Sequence, residues 1–366
     1  MVETFFQPDW FSKPGDTLLT MMEHRELSCA DLAEKIGRSA ATIRGLISGA
    51  VEIDDGLADL LAKHVGGTPT FWQKRQAIYA NSLSRAAGAI PRQKGDEWLK
   101  QFPHADIVNY GWLRKPSRRD DLLKAYLAYF GVTDPNEWAE RYEKPFGVAF
   151  RSSPTFKSKA GALSAWLRRG ELEASSVSTA KWNPQQLRIR LPELRVLTKA
   201  KAPAYFLPRM RKICAEVGIA LVFVRAPSGC RASGATRFLS PDKAMIILSF
   251  RHLSDDHFWF TFFHELAHVL LHGNSSTFID GEVGTITEQE REANCFSASV
   301  LVPPNRRDEL LDLKPRKESV IRFAFSIGVS PGIIVGQLQH NEIIKPSQLN
   351  FLKRRFNWEQ ISGALC

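Results

Sequence analysis

The chain has 366 residues, 44% hydrophobic and 24% charged, with 49 Lys and Arg against 39 Asp and Glu for a net charge of +10. This is ordinary globular composition, long enough for two or three domains, and it excludes a disordered, collagen-like or disulfide-scaffold chain. No apolar run approaches the ~18–20 residues of a membrane span, MVETFFQPDWF lacks the pattern of a secretory signal, and the five scattered cysteines never form CxxC, so no membrane partner and a cytoplasmic location are expected.

Residues 14–80 predict short helices. Leu18, Leu19 and Met22 recur at helical spacing over Asp16–Arg25. Ser28 is placed to cap Asp31–Ile36, with Asp31 in the capping-box position, and Gly37 to end it. Ser39 then caps Ala40–Ser48, which Gly49 stops. A soft boundary falls at Gly88–Gly95. Residues 96–200 read as mostly helical, with a basic break at Arg114–Arg119, a polar one at Arg151–Lys159 and a linker at Thr198–Pro203.

The period then changes. Ile219–Arg225, Ala235–Leu239 and Met245–Arg251 read as strands of a small sheet. A long helix is predicted over Asp256–His272, a Gly/Ser-rich loop over Gly273–Gly284, and a second helix over Thr287–Val300, before Pro303 and Pro304. Residues 316–361 are helical again, interrupted at Gly328–Gly332. The expected division is 1–85, a basic helical middle 86–200, a domain 201–310 and a helical extension 311–366.

The sharpest motif is HELAH. On a helix, His264 and His268 face the same way and can bind one cation, while Glu265 between them can serve a bound water as general base. The surrounding helix is apolar nearly all round, and burying two imidazoles and a carboxylate there is costly without a partner. A catalytic zinc takes three protein ligands and one open position. Asn274 stands where HExxHxxGxxH would carry a third histidine, and His272 fits a hydrogen-bonding role at the helix end better than a ligand role. EREAN offers a better ligand: Glu290 can bind the ion, and Asn294, one turn on, can accept a hydrogen bond from a ligand imidazole's second nitrogen. Glu292 is the weaker candidate for the same ligand position, since on a helix it points to another face, the one expected towards solvent.

HELAHVLLH followed by EREANCFSASVLVP resembles the ImmA/IrrE family of metallo-endopeptidases, as does the wider segment from about Phe150 to Trp358, with RASGATRF and GVSPGIIVGQL. The resemblance implies a zincin-type domain, a small antiparallel sheet over the HExxH helix, zinc held by His264, His268 and Glu290, and Glu265 as base. Ser297 and Ser299 replace the family's usual alanines, and Val300 its leucine. The family's peptidases cut repressors or antitoxins in stress or prophage responses. No spacing picks out an oxyanion stabiliser among His252, His257, Tyr205 and Arg231.

PGDTLLTMMEHRELSCADLAEKIGRSAATIRGLISG resembles a Cro/cI-type helix-turn-helix, and its continuation through GGTPTFWQKRQAIY resembles HigA-type antitoxins. That implies a helix near Ser39–Ser48 in the major groove, with Ser39, Thr42 and Arg44 facing DNA, Arg38 on a phosphate, and Ile36, Ile43 and Leu46 packing the helices together. The whole is then an α+β chain: an all-α helix-turn-helix domain, a helical middle and a zincin-like domain. Its partners would be operator DNA and a protein substrate, a repressor, an antitoxin or the chain itself near Gly88–Gly95, and it could form a homodimer. The alternative is a metal- or ligand-sensing transcription factor, or an antitoxin, whose peptidase domain rarely turns over. Charge complicates the DNA reading. Residues 1–80 hold 8 Lys and Arg against 11 Asp and Glu, whereas residues 81–200 hold 21 against 12.

Overall fold

Three capped helices open the described chain, which in this computed structural model comprises residues 12–114, 118–144, 159–273 and 287–365 and the backbone of 278–280. They are α1 (Pro14–His24), α2 (Cys29–Ile36) and α3 (Ala40–Ser48). Ser28 Oγ accepts from the Asp31 N–H, and the Asp31 carboxylate accepts from the Ser28 N–H, closing a capping box. Gly37 ends α2 at φ 63°, a left-handed cap that glycine adopts without penalty. Ser39 caps α3 through the Thr42 N–H, and its hydroxyl lies 2.9 Å from that of Thr42. Leu18, Leu32, Ile36, Ile43 and Leu46 share one core with Leu57 and Leu61 of α4 (Asp55–His64) and Trp72 of α5 (Pro69–Ala89). Arg38, Ser39 and Arg44 are exposed, and Thr42 is half-buried.

The chain divides into two compact units: the described part of 1–151 with Lys159–Ser176 and Pro227–Cys230, and the described remainder. The first unit continues through α6 (Arg92–Leu99), α7 (His104–Asn109), α8 (Arg119–Phe130), α9 (Pro135–Trp138) and α10 (Ala160–Ser175). Trp98, Phe102, Tyr126, Phe130 and Trp138 build an aromatic core here, Phe102 stacking on Tyr126 with centroids 4.6 Å apart. The Gly88–Gly95 segment is corrected: it is largely exposed, but it is helical over most of its length rather than an irregular linker. Helix α5 runs through Gly88 to Ala89, α6 begins at Arg92, and Gly95 is buried. A single glycine in an alanine-rich helix costs only ~1 kcal/mol, too little to stop it. Residues 115–117 of the basic break, 151–158 of the polar break, and 274–277 and 281–284 of the Gly/Ser-rich loop lie outside the described residues.

The second unit holds α11 (Pro184–Val196), α12 (Pro203–Glu216), β1 (Ile219–Phe223), β2 (Gly234–Ser240), β3 (Lys243–Leu248), α13 (Asp255–Ala267), β4 (Phe278–Asp280), α14 (Glu288–Leu301), α15 (Arg307–Leu311), α16 (Lys317–Ile327), α17 (Pro331–His340) and α18 (Trp358–Leu365). The sheet order is β1-β3-β2-β4. The expected antiparallel sheet is corrected to a mixed one, because β1 and β3 pair in parallel from Ile219 opposite Ala244 to Phe223 opposite Leu248. The ten residues 224–233 carry the chain past one strand position, and β3 then returns into the gap. IALVF and AMIIL are unbroken apolar runs buried along almost their whole length, which suits interior pairing. Part of the stretch expected to be loop is instead strand β4, which pairs with β2 at Gly234–Thr236. Three residues carry too little pattern to be read as a strand.

Helices α16 and α17 meet at 109° across a turn containing Gly328. The shape resembles a helix-turn-helix, but Ile333, Ile334, Val335 and Leu338 bury the second helix, so its role is packing. Among the described residues, no single helix is long and apolar enough to cross a membrane.

The C-terminal segment pins the start of α13. The Asp255 carboxylate is fully buried and accepts from the Asp256 N–H, the Arg354 N–H and Ser330 Oγ, while Asp256 pairs with Lys353 at 2.6 Å. Burial pushes Asp255 from 3.8 to about 6, with the Asp256 charge adding to it and the Ser330 and Arg354 contacts opposing it. Because its folded value is raised, its contribution to stability is complete below the unfolded value and is lost as pH rises through the folded one. Asp255→Asn is therefore expected to remove about 2 kcal/mol of the fall in unfolding free energy between roughly pH 4.5 and 7.5. Urea titrations of both proteins across that range measure it. Parallel pH profiles would mean that Asp255 titrates as an ordinary carboxylate.

Candidate metal centre

Helix α13 is lined with Phe258, Trp259, Phe262, Phe263 and Leu266, all buried, and this apolar jacket carries HELAH into the interior. His264, Glu265 and His268 are each at most 1% exposed. The helix then widens into a π turn over His268–His272, a device that turns successive side chains onto one face. Alongside lies α14, capped by the Thr287 hydroxyl on the Glu290 N–H. Ser297 fastens the two helices, its hydroxyl donating to the Phe260 carbonyl at 2.9 Å. This serine therefore acts as a clasp.

His264 Nε2 and His268 Nε2 lie 3.0 Å apart, and the two Glu290 oxygens lie 3.3 Å from one and the other. One donor atom from each of the three residues falls within 4.8 Å of the others, a group able to hold a metal ion. The donor set suits a divalent borderline cation: two imidazole nitrogens, one carboxylate, and space for a fourth ligand. Burial holds His268 below the usual imidazole value, keeping it neutral, with the Glu290 contact opposing. Burial raises the Glu290 carboxylate, but hydrogen bonds and charge from His264 and His268 outweigh that and bring it down to about 2.

The tautomers follow from the outer contacts. His264 Nδ1 lies 3.0 Å from Asn294 Oδ1, which can only accept, so with an ion bound Nδ1 would carry the proton and Nε2 would offer its lone pair. Glu292 Oε2 accepts from His272 Nε2 at 2.9 Å, leaving His272 Nδ1 to accept from His268 Nδ1 at 3.0 Å. With an ion bound, His268 Nε2 would likewise offer its lone pair. Glu292 is half exposed, as its helical position suggests, yet it anchors this chain of contacts.

Glu265 points to the sheet. Its Oε2 accepts from Thr236 Oγ1 at 2.6 Å. Gly234 makes room for it: a Cβ there would sit 2.5 Å from Glu265 Oε1 and 2.8 Å from Thr261 Cγ2. Sequence reasoning assigned no role to Thr236, Gly234 or Glu292. The first two lie inside RASGATRF, a segment singled out only for its resemblance. Of the oxyanion candidates, His252 and His257 stack with centroids 4.1 Å apart, Tyr205 lies under the Arg209 guanidinium, and the Arg231 carbonyl accepts from Arg251.

A buried pair of histidines one turn apart, a glutamate between them and a carboxylate from the neighbouring helix form a donor set of the metallopeptidase class. Residues 216–336, about a third of the chain, match the IrrE N-terminal-like domain of the Peptidase_M78 family. The match spans the sheet, α13 and α14. No curated protein and no solved structure matches the chain.

Proposed function

We propose that the protein is a zinc-dependent endopeptidase that cleaves a repressor- or antitoxin-type regulator, or its own chain, and that its N-terminal helices read an operator. The observation that carries the peptidase reading is Glu265: a buried carboxylate held by Thr236 and neighbouring two histidines whose Nε2 atoms face Glu290. A metal sensor needs ligands but has no use for a base beside them.

His264, His268 and Glu290 would hold the zinc. The ion, when bound, supplies the Lewis acidity that activates water and polarises a peptide carbonyl. Glu265 accepts the water proton at a carboxylate oxygen and returns it to the leaving amine. Thr236 fixes the direction of that carboxylate. Asn294 and the His272–Glu292 pair keep both imidazoles in the Nδ1–H tautomer. Self-cleavage at Gly88–Gly95 is disfavoured, since its backbone is almost wholly helical. The operator reading draws on the exposed Arg38, Ser39 and Arg44 together with the half-buried Thr42 on and before α3.

Glu265→Gln keeps a hydrogen bond to Thr236 and removes the basicity. It is expected to fold and to retain zinc, while proteolysis falls ~10²–10⁴-fold. Wild type and variant are expressed beside the regulators encoded next to the gene, and fragments are mapped by mass spectrometry. Fragments from wild type alone support the peptidase. Identical fragments from both, or none from either under DNA-damage and oxidative stress, would replace it with the metal-sensing transcription factor.

A further inference from the structure

The N-terminal helices have an electrostatic deficit. Residues 1–80 carry 8 basic and 11 acidic side chains, yet contacts to phosphate supply most of the affinity of a duplex-binding protein. The missing positive charge lies elsewhere in the same compact unit.

A cleft of about 570 Å3 opens between the end of α5 and the beginnings of α6 and α8. Ser84, Arg92, Arg118, Arg119, Asp120 and Lys124 supply its polar lining. Arg119 is not available to a ligand. Its guanidinium donates to Asp96, to Asp120 and to the Arg92 carbonyl, tying α6 to α8 and leaving that trio with one net negative charge. Arg92, Arg118 and Lys124 are different: among the described residues, none of their side chains has an ion pair or a hydrogen bond. Arg118 precedes the first residue of the 12-residue α8 and makes no capping bond, so the amide end of that helix faces the same region. Three uncommitted cations around one open cleft, whose one lining carboxylate, Asp120, is held by Arg119, leave an excess of positive charge and form an electrostatic site for phosphate. No aromatic side chain lines the cleft, so nothing there would stack a base.

We propose that this cleft binds the phosphate backbone of duplex DNA beside the bases read by α3. The proposal rests on the operator reading above and adds where its affinity comes from. One helix links the two regions: α5 carries Trp72 in the core of the N-terminal helices and Ser84, Ala87 and Gly88 at the cleft. At a rise of 1.5 Å per residue, 12–16 residues separate them by ~18–24 Å. A B-form duplex covers the same length in roughly 5–7 base pairs.

The test uses full-length protein and fluorescence anisotropy on two labelled duplexes, one carrying the gene's own promoter and one scrambled, between 50 and 200 mM salt. The triple variant Arg92→Gln, Arg118→Gln, Lys124→Gln is expected to weaken binding to both duplexes alike. The slope of log K against log salt should fall in magnitude by about 2–3, since each lost phosphate contact is worth ~0.9. Arg44→Ala should do the opposite, cutting promoter-over-scrambled discrimination by about 10–100-fold with little change of slope. Peptidase activity and thermal midpoint of the triple variant should match wild type. An unchanged slope in the triple variant, with promoter binding intact, overturns the cleft and leaves the operator reading standing. Loss of discrimination in Arg44→Ala is the separate mark of that reading. If wild type binds neither duplex, the operator reading and the proposed DNA site both fail. Inorganic tripolyphosphate is the remaining arm: if it binds and loses affinity in the triple variant while duplex does not bind, the ligand is free polyphosphate and the DNA proposal is overturned.

Discussion

Glu290→Ala protein is expected to leave dialysis without stoichiometric zinc, while Glu292→Ala protein keeps about one ion per chain. Glu290 places one oxygen 3.3 Å from each of the two facing Nε2 atoms, so its removal takes away the only carboxylate among the three clustered donors and leaves two neutral imidazoles. Two ligands cannot define a tetrahedral site. Glu292 acts at one remove, through His272 on His268 Nδ1, and outer contacts of this kind are worth ~10–100-fold in metal affinity. Competition with a chromogenic chelator separates the two effects, and circular dichroism should show both variants folded, because the apolar jacket of α13 is untouched. Zinc loss in Glu292→Ala with retention in Glu290→Ala would exchange their roles.

Gly234→Ala is expected to abolish most proteolysis without emptying the metal site. The added Cβ would enter the space of Glu265 Oε1 and Cγ and of Thr261 Cγ2, all within 2.8 Å. Backbone movement offers little relief, since Gly234 pairs with Leu248 on one side and Asp280 on the other. The side chain that gives way is Glu265, and a displacement of about 1 Å at a reacting group costs on the order of 10²-fold in rate. His264, His268 and Glu290 touch none of these atoms in the contacts described, so zinc content should hold. The assay is cleavage of the regulator identified with the wild-type enzyme, run beside metal analysis. Wild-type turnover in Gly234→Ala would mean that the strand does not set the position of Glu265.

Local interactions explain why much of the chain was legible. The Ser28–Asp31 box, the left-handed Gly37 and the Ser39 cap depend on residues three or four apart, and each forms where the sequence places it. The spacing of His264 and His268 depends only on one turn of helix. Elsewhere local pattern was insufficient. Gly88 and Gly95 read as punctuation, yet both lie inside helices, Gly95 buried in α6 and Gly88 exposed on α5. The three residues of β4 have no pattern of their own and become a strand because β2 offers a free edge.

The sequence by itself determined the candidate metal-ligand types, the helix that presents two of them, and the carboxylate between them, because helical geometry alone brings i and i+4 together. It also determined which stripes must be buried, and hence that the polar HELAH group would need partners. Only the tertiary structure decided how those partners converge. Glu290 arrives from a separate helix, clasped by Ser297. Thr236 and Gly234 come from a strand nearly thirty residues away in the chain to receive Glu265, and Glu292 reaches His268 through a π turn that no periodicity announces. Contacts across such separations are set by how helices and strands pack, and packing sums the whole core rather than any window of the chain.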